Sequence, residues 1–445
     1  MPRSLRGTRL GAEYDETLAN SVAGQPVVRD GLQFFAPFHG DSRAHIKNGE
    51  QVYTAMTTET VDADGSYNSP YAPGRYVIGA TSNTARVSAN GLISEPTEIN
   101  KFIYARDLSN AAWVVTTNGS KGSNVTTSPD NTTDGDSIIE DATVGGTFAV
   151  KQAFTVPSFT GSYMTSFYAK AGTRDFIRFA VALTTSVTVD FNLATGVVCA
   201  SSNDLDSGME DEGNGWYRCW AKAAVVPGDA GSQDFVFTAC DTCGSTTYTG
   251  INTDDAVYLW SFSLAQGSLE LMTATDTVAA AVTRAEDVYE FLNEEIATGT
   301  AFTIFFTMEC VYNVNPTSDR FAFFNDFDAT NFISILLFRT TGVISAQMVV
   351  GGATQFGALG STPVTRGRHT IALCVDTNDM RGYLDAGEEM TDTSVTLPTS
   401  VGTHHRVAGS PTSANKNLSS PMSNLCIYNR ALTATEITLL DNQYR

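Results

Sequence analysis

Apolar and polar residues alternate with a period of two along much of this chain. Val187, Val189, Phe191 and Leu193 share one face, Thr188, Asp190 and Asn192 share the other, and Ala194-Thr195-Gly196 ends the run. That is the signature of an antiparallel strand with one face in a core and one in water. Tyr258, Trp260, Phe262 and Leu264 repeat it as one predicted face, and further strands are predicted at 163–170, 176–183 and 235–239. Gly213-Asn214-Gly215 can supply the positive-φ residues of a tight reversal. Trp216-Tyr217-Arg218-Cys219-Trp220 alternates behind it, which predicts a hairpin entering a sandwich core.

The last third carries a second set. Phe302, Ile304, Phe306 and Met308 alternate with Thr303, Phe305 and Thr307. Residues 333–338 form an apolar run interrupted only by Ser334, and His369, Ile371, Leu373 and Val375 alternate again. One helix is predicted at the end, with Thr433 as N-cap, Glu436 completing a capping box, and Ile437 and Leu440 facing inward. Near the start, residues 11–30 read as an extended linker, and 32–38 as a strand whose Pro37 places it at an edge or a strand end. The fold class is therefore all-β. We expect two antiparallel β-sandwich (jelly-roll) domains, an extended N-terminal arm and one short C-terminal helix.

At 445 residues the chain has room for two or three domains whose cores need no staples. Its 48 acidic against 27 basic residues give a formal charge of -21, which repels phosphate backbones and argues against a nucleic-acid partner. Residues 1–10 lean the other way, with Arg3, Arg6 and Arg9 and no acid. They read either as a frayed tail or as an arm docking on an acidic neighbour in an assembly. No apolar run follows those arginines as in a signal peptide, and no stretch reaches the length of a membrane span.

The seven cysteines are Cys199, Cys219, Cys240, Cys243, Cys310, Cys374 and Cys426. Cys240-Asp241-Thr242-Cys243 has the gap of a zinc half-site but lacks a second such pair. Cys310, Cys374 and Cys426 sit in apolar strand patterns, where a thiol packs as a small hydrophobe. Without a leader the chain is expected to fold in a reducing cytoplasm with all its thiols free.

Five stretches resemble, in order, the blocks of the carbohydrate-binding-module-like sandwich carried by bacteriophage tail and fibre proteins. They are Ala105-Arg106-Asp107-Leu108-Ser109-Asn110-Ala111-Ala112-Trp113, Phe167-Tyr168-Ala169-Lys170-Ala171-Gly172-Thr173, Phe191-Asn192-Leu193-Ala194-Thr195-Gly196, the 213–219 hairpin and Val257-Tyr258-Leu259-Trp260. The C-terminal region resembles the laminin-G-like, concanavalin-A-like jelly rolls. The resemblance rests on Arg368-His369-Thr370-Ile371-Ala372-Leu373, Tyr383-Leu384-Asp385, Asn429-Arg430-Ala431-Leu432 and the Thr433 capping box. In that family the first and last strands commonly pair, which implies that 32–38 completes the C-terminal sandwich and that the middle module is inserted into it. The expected division is 1–30 arm, 31–99 N-terminal β segment, 100–268 carbohydrate-binding-module-like sandwich, and 269–445 jelly roll, spanning about 275–445 as a resemblance.

These resemblances imply a structural protein of a phage particle, assembled in the host cytoplasm, with other virion proteins as partners. A tail-fibre, tail-tip or baseplate adhesin facing host polysaccharide is the leading expectation, and a head fibre or capsid-decoration protein the alternative. A homo-oligomer, with a trimer as the example, is what the company such folds keep leads one to expect. Sugar sites use aromatic faces, so Trp113, Trp216, Tyr217 and Trp220 are candidates, of which at least two are expected in the core. The acidic run 204–212 offers Asp204, Asp206, Glu210 and Asp211 as oxygen ligands for calcium, or is hydrated surface.

Catalysis is the minority expectation, as a polysaccharide-degrading enzyme. No Glu-x-Asp-x-Glu pattern occurs in either sandwich, Ser42 with His45 is too local to build a nucleophile and base, and adjacent His404 and His405 aim poorly at one ion.

Overall fold

The computed structural model describes residues 98–116, 118–251, 254–266, 276–284, 289–292, 299–310, 320–328, 330–337, 341–397, 404–409 and 420–445. It also describes residues 28, 30, 32–36, 44–47, 50–53, 86–88, 91–93 and 418. These divide into two compact units, one of 98–284 and one of the segments before and after it. Both are all-β.

In the outer unit a ten-stranded and a six-stranded antiparallel sheet share one core. Ile304, Phe306, Ile371, Leu373 and Ile427 from the first meet Phe323, Ile335, Ala346 and Met348 from the second. Leu32–Ala36 pairs with Met422–Tyr428, placing Phe34 opposite Ile427. Phe302–Cys310 is buried on both faces because the helix Ala434–Tyr444 sets Ile437, Leu440 and Tyr444 against Phe305, Ala372, Cys374 and Tyr428. It is the one α-helix among the described residues. The predicted box closes it: the Glu436 amide donates to Thr433 Oγ1 at 3.3 Å, and Glu436 Oε2 accepts from the Thr433 amide at 2.9 Å. Ion pairing with Arg430 leads in pulling the Glu436 carboxyl down to about 2.

In the inner unit a six-stranded sheet runs in the order Val197–Ser202, Val187–Asn192, Phe176–Val181, Gly231–Cys240, Phe148–Val156, Val114–Val115. An eight-stranded sheet packs on it, led by Asp206–Gly213, Trp216–Val225, Gly161–Ala171 and Asp255–Gln266. Val187, Val189 and Phe191 face the shared core, as their alternation predicts. The face predicted for 258–264 is split instead. Ser261 (φ 46°) and a register shift make a β-bulge there. Phe262 and Leu264 therefore join Val257 and Leu259 in the core, while Tyr258 and Trp260 turn to the opposite face. The unit's sheet also takes in Glu98–Asn100 and Val282–Arg284, which pair with each other.

Candidate binding surfaces

The central hairpin is built as its sequence requires. Gly213, Asn214 and Gly215 all have positive φ, at 79°, 52° and 80°, and return the chain from Asp206–Gly213 into Trp216–Val225. From that strand, Cys219, Ala221, Ala223 and Val225 enter the sandwich core, and Trp216, Arg218, Trp220 and Lys222 occupy the sheet's other face. This second face is buried too. Trp216 is 1% exposed, Trp220 2%, Arg218 0%, Lys222 2%, and the neighbouring Tyr168 and Trp260 are 0% and 1%. Trp216 Nε1 donates to Thr127 O at 2.9 Å, and the guanidinium of Arg106 lies 4.4 Å from the Trp260 ring centroid.

The aromatic platform predicted for a sugar is therefore not formed by these tryptophans. Trp113, 1% exposed, packs 4.3 Å from Phe262 and donates to Tyr104 O at 2.9 Å, so both its ring and its N–H are committed inside. Trp113, Trp216 and Trp220 present no face to solvent. Tyr217 is half-buried, packed against the core beside Gly196. Among the residues whose side chains are described, no tryptophan, tyrosine or phenylalanine is exposed.

The acidic run is likewise not a calcium loop. Asp206–Gly213 is a strand, and its register sets Asp206 opposite Lys222 and Glu210 opposite Arg218. Opposed cations make a row of acids compatible with a ladder, and strand alternation sends Asp211 to the other side from Asp206 and Glu210. With Asp204 in the preceding connection, the four candidates do not converge on one point. Glu212, at the bulge before the turn, is 1% exposed. Burial first, then repulsion from Glu210, pushes its carboxyl up to about 8 against the pull of Arg218. No group of three or more His, Cys, Asp or Glu among the described residues could hold a metal ion.

The six-stranded sheet offers a different outer face. Ile177, Phe179 and Val181 point into the core, so Phe176, Arg178 and Ala180 point out, beside Asn192, Asp190 and Thr188 of the next strand. Phe176, Thr188 and Asn192 are half-buried. Arg178 donates from Nε and Nη2 to the two carboxylate oxygens of Asp190, both at 2.8 Å. Its side chain keeps 20% exposure while that of Asp190 keeps 3%. Two of the five guanidinium donors are thus spent on orientation, and the planar fork is fixed at the surface. Sequence alternation already marked Asp190 and Asn192 as outward; Arg178 is their cross-strand partner.

Against the expectation of free thiols, Cys199 and Cys243 form a disulfide, 44 residues apart with Cα atoms 6.2 Å apart. Both residues are exposed, and the bond ties Val197–Ser202 to the loop after Gly231–Cys240. Cys243 is thereby taken from the proposed zinc half-site. Cys219, Cys240, Cys310, Cys374 and Cys426 are buried thiols outside any disulfide. His404 and His405 open a strand, His404–Val407. Arg3, Arg6, Arg9 and Ser42 lie outside the described residues.

The architecture defines an all-β protein of sandwich domains. No protein-family profile matches the chain, and no curated protein does. Among solved structures it is similar to domain 4 of AbnA, a GH43 extracellular arabinanase from Geobacillus stearothermophilus, at 14% identity over 38% of this chain and 79% of that one, with a TM-score of 0.30. It is also similar to the CBM40 of the Ruminococcus gnavus IT-sialidase, at 12% identity over 36% of this chain and 92% of that one, with a TM-score of 0.30. A third is the receptor-binding domain of botulinum neurotoxin D, at 10% identity over 35% of this chain and 41% of that one, with a TM-score of 0.29.

Proposed function

We propose that this protein is a non-catalytic, glycan-binding component of a bacteriophage particle, a tail-fibre, tail-tip or baseplate adhesin. Its sugar contact is the outer face of the six-stranded sheet around Phe176, Arg178, Thr188 and Asn192. The observation that carries this reading is the Arg178–Asp190 pair. A guanidinium held bidentate at a sheet surface presents its remaining N–H donors in a fixed plane, suited to sugar hydroxyls or carboxylates, with an aromatic edge from Phe176 beside it. The particle context is supported by the five sequence blocks between Ala105 and Trp260, which all fall within this one sandwich.

The test is a glycan array probed with the whole chain, alongside Phe176→Ala and Arg178→Lys. We expect retained folding by circular dichroism and at least about a 10-fold weaker signal for each. Unchanged binding in both variants, or none by the wild type, defeats the reading.

A second reading, a head fibre or capsid-decoration protein, is favoured by the lack of any exposed aromatic among the residues whose side chains are described. It expects density on the head lattice of intact particles by cryo-electron microscopy, and release of the protein when residues 1–30 are removed.

A further inference from the structure

The outermost strands of the inner sandwich are protected in unequal ways. Asp206–Gly213 ends the eight-stranded sheet and carries Asp206, Glu210, Asp211 and Glu212, a charged edge of the kind that deters pairing. Of the other ends, Val114–Val115 and Val282–Arg284 are too short to template a partner, and Ser120–Thr126 carries Lys121 and is broken by a bulge. Val197–Ser202 is the exception. It ends the six-stranded sheet with no strand beyond it among the described residues, and its sequence, Val-Val-Cys-Ala-Ser-Ser, has neither charge nor proline. All its residues but Val198 are exposed, with Val197 at 51%.

We propose that this edge pairs antiparallel with the same edge of a second copy of the chain across a two-fold axis, joining two six-stranded sheets into one. Charge selects that occupant. The chain as a whole carries -21, yet the thirteen residues from Phe191 to Asn203 hold no charged side chain, so along this strand, unlike the adjoining Asp206–Gly213, two copies can pair without setting acid opposite acid. With Val197 opposite Ser202 of the second copy, Asp204 falls opposite Thr195 and no acid meets an acid. An antiparallel edge pair is self-complementary, as a two-fold contact must be. A basic foreign strand would be drawn instead to the acidic edge. The bulge at Cys199 is the edge's one irregularity, and the disulfide to Cys243 pins it.

Sedimentation velocity of the full chain over a concentration series tests this. The 47.6 kDa monomer should pass to a dimer as concentration rises. Ala200→Lys, which sets two like charges beside the axis, should weaken dimerisation by about 10-fold with an unchanged melting temperature. Hydrogen exchange should show the amides of 197–202 gaining protection in step with the dimer. A wild type that stays monomeric overturns the proposal, and so does a dimer that Ala200→Lys leaves intact or whose protection lies elsewhere. Protection of 197–202 that arises only on adding other particle proteins also overturns it, in favour of a foreign strand. None of these readouts depends on sugar binding.

Discussion

The two sheets of the inner sandwich have outer faces of opposite character. Trp216, Trp220, Trp260, Tyr168, Arg218 and Lys222 give the eight-stranded sheet the chemistry of a binding platform, and all of them are buried. Phe176, Arg178, Thr188 and Asn192 give the six-stranded sheet a plainer face, and it meets solvent. Aromatic richness therefore marks a second packed layer here, while the solvent-facing sheet carries one arginine held in place by one aspartate.

Four perturbations would break or sharpen that contrast. The largest is Trp216→Ala. It empties a fully buried site and leaves Thr127 O without its donor, so unfolding in denaturant should show a loss of about 3–5 kcal/mol. A loss below about 1 kcal/mol would mean the ring is surface after all. Next is the staple on the open face. Replacing Cys199 and Cys243 together by serine should lower stability by about 2–4 kcal/mol, and reductant should have the same effect on the wild type but none on the variant.

Gly208→Ala comes third. A Cβ there would stand 2.6 Å from Trp220 Cζ2, because the glycine lies flat on the ring, and the overpacking should cost about 1–3 kcal/mol. The fourth is one of pH. The Glu212 carboxyl lies at about 8 when folded against 4.5 for the ordinary group. Its contribution is complete below about pH 4.5 and is lost as the pH rises through about 8, since the unfolded chain ionises first. Thermal melts of Glu212→Gln should lack that part of the alkaline decline; an identical profile would show that Glu212 is not held protonated.

The strands and their core faces were legible where local rules suffice. The alternation at 187–191, the Gly213–Gly215 reversal and the Thr433–Glu436 box each depend on residues a few positions apart, and each forms as read. What escaped the sequence depends on partners far along the chain. The bulge at Ser261 arises against Gly161–Ala171, nearly a hundred positions earlier, and it reverses the facing of Trp260. The acids at 206–212 resembled a hydrated loop because Lys222 and Arg218 become their neighbours only through the ladder. Arg178 carried no signal of its own until Asp190 was placed across from it. Cys199 and Cys243 meet only once two separate strands have brought them together.

The pairing of Glu98–Asn100 with Val282–Arg284 also bears on how such a chain can change over time. Because the strands that begin and end the inner unit lie side by side, that unit has the form of a cassette whose entry and exit meet in its own sheet. A gene exchange cut at these two points would hand the outer unit a different inserted sandwich in a single step.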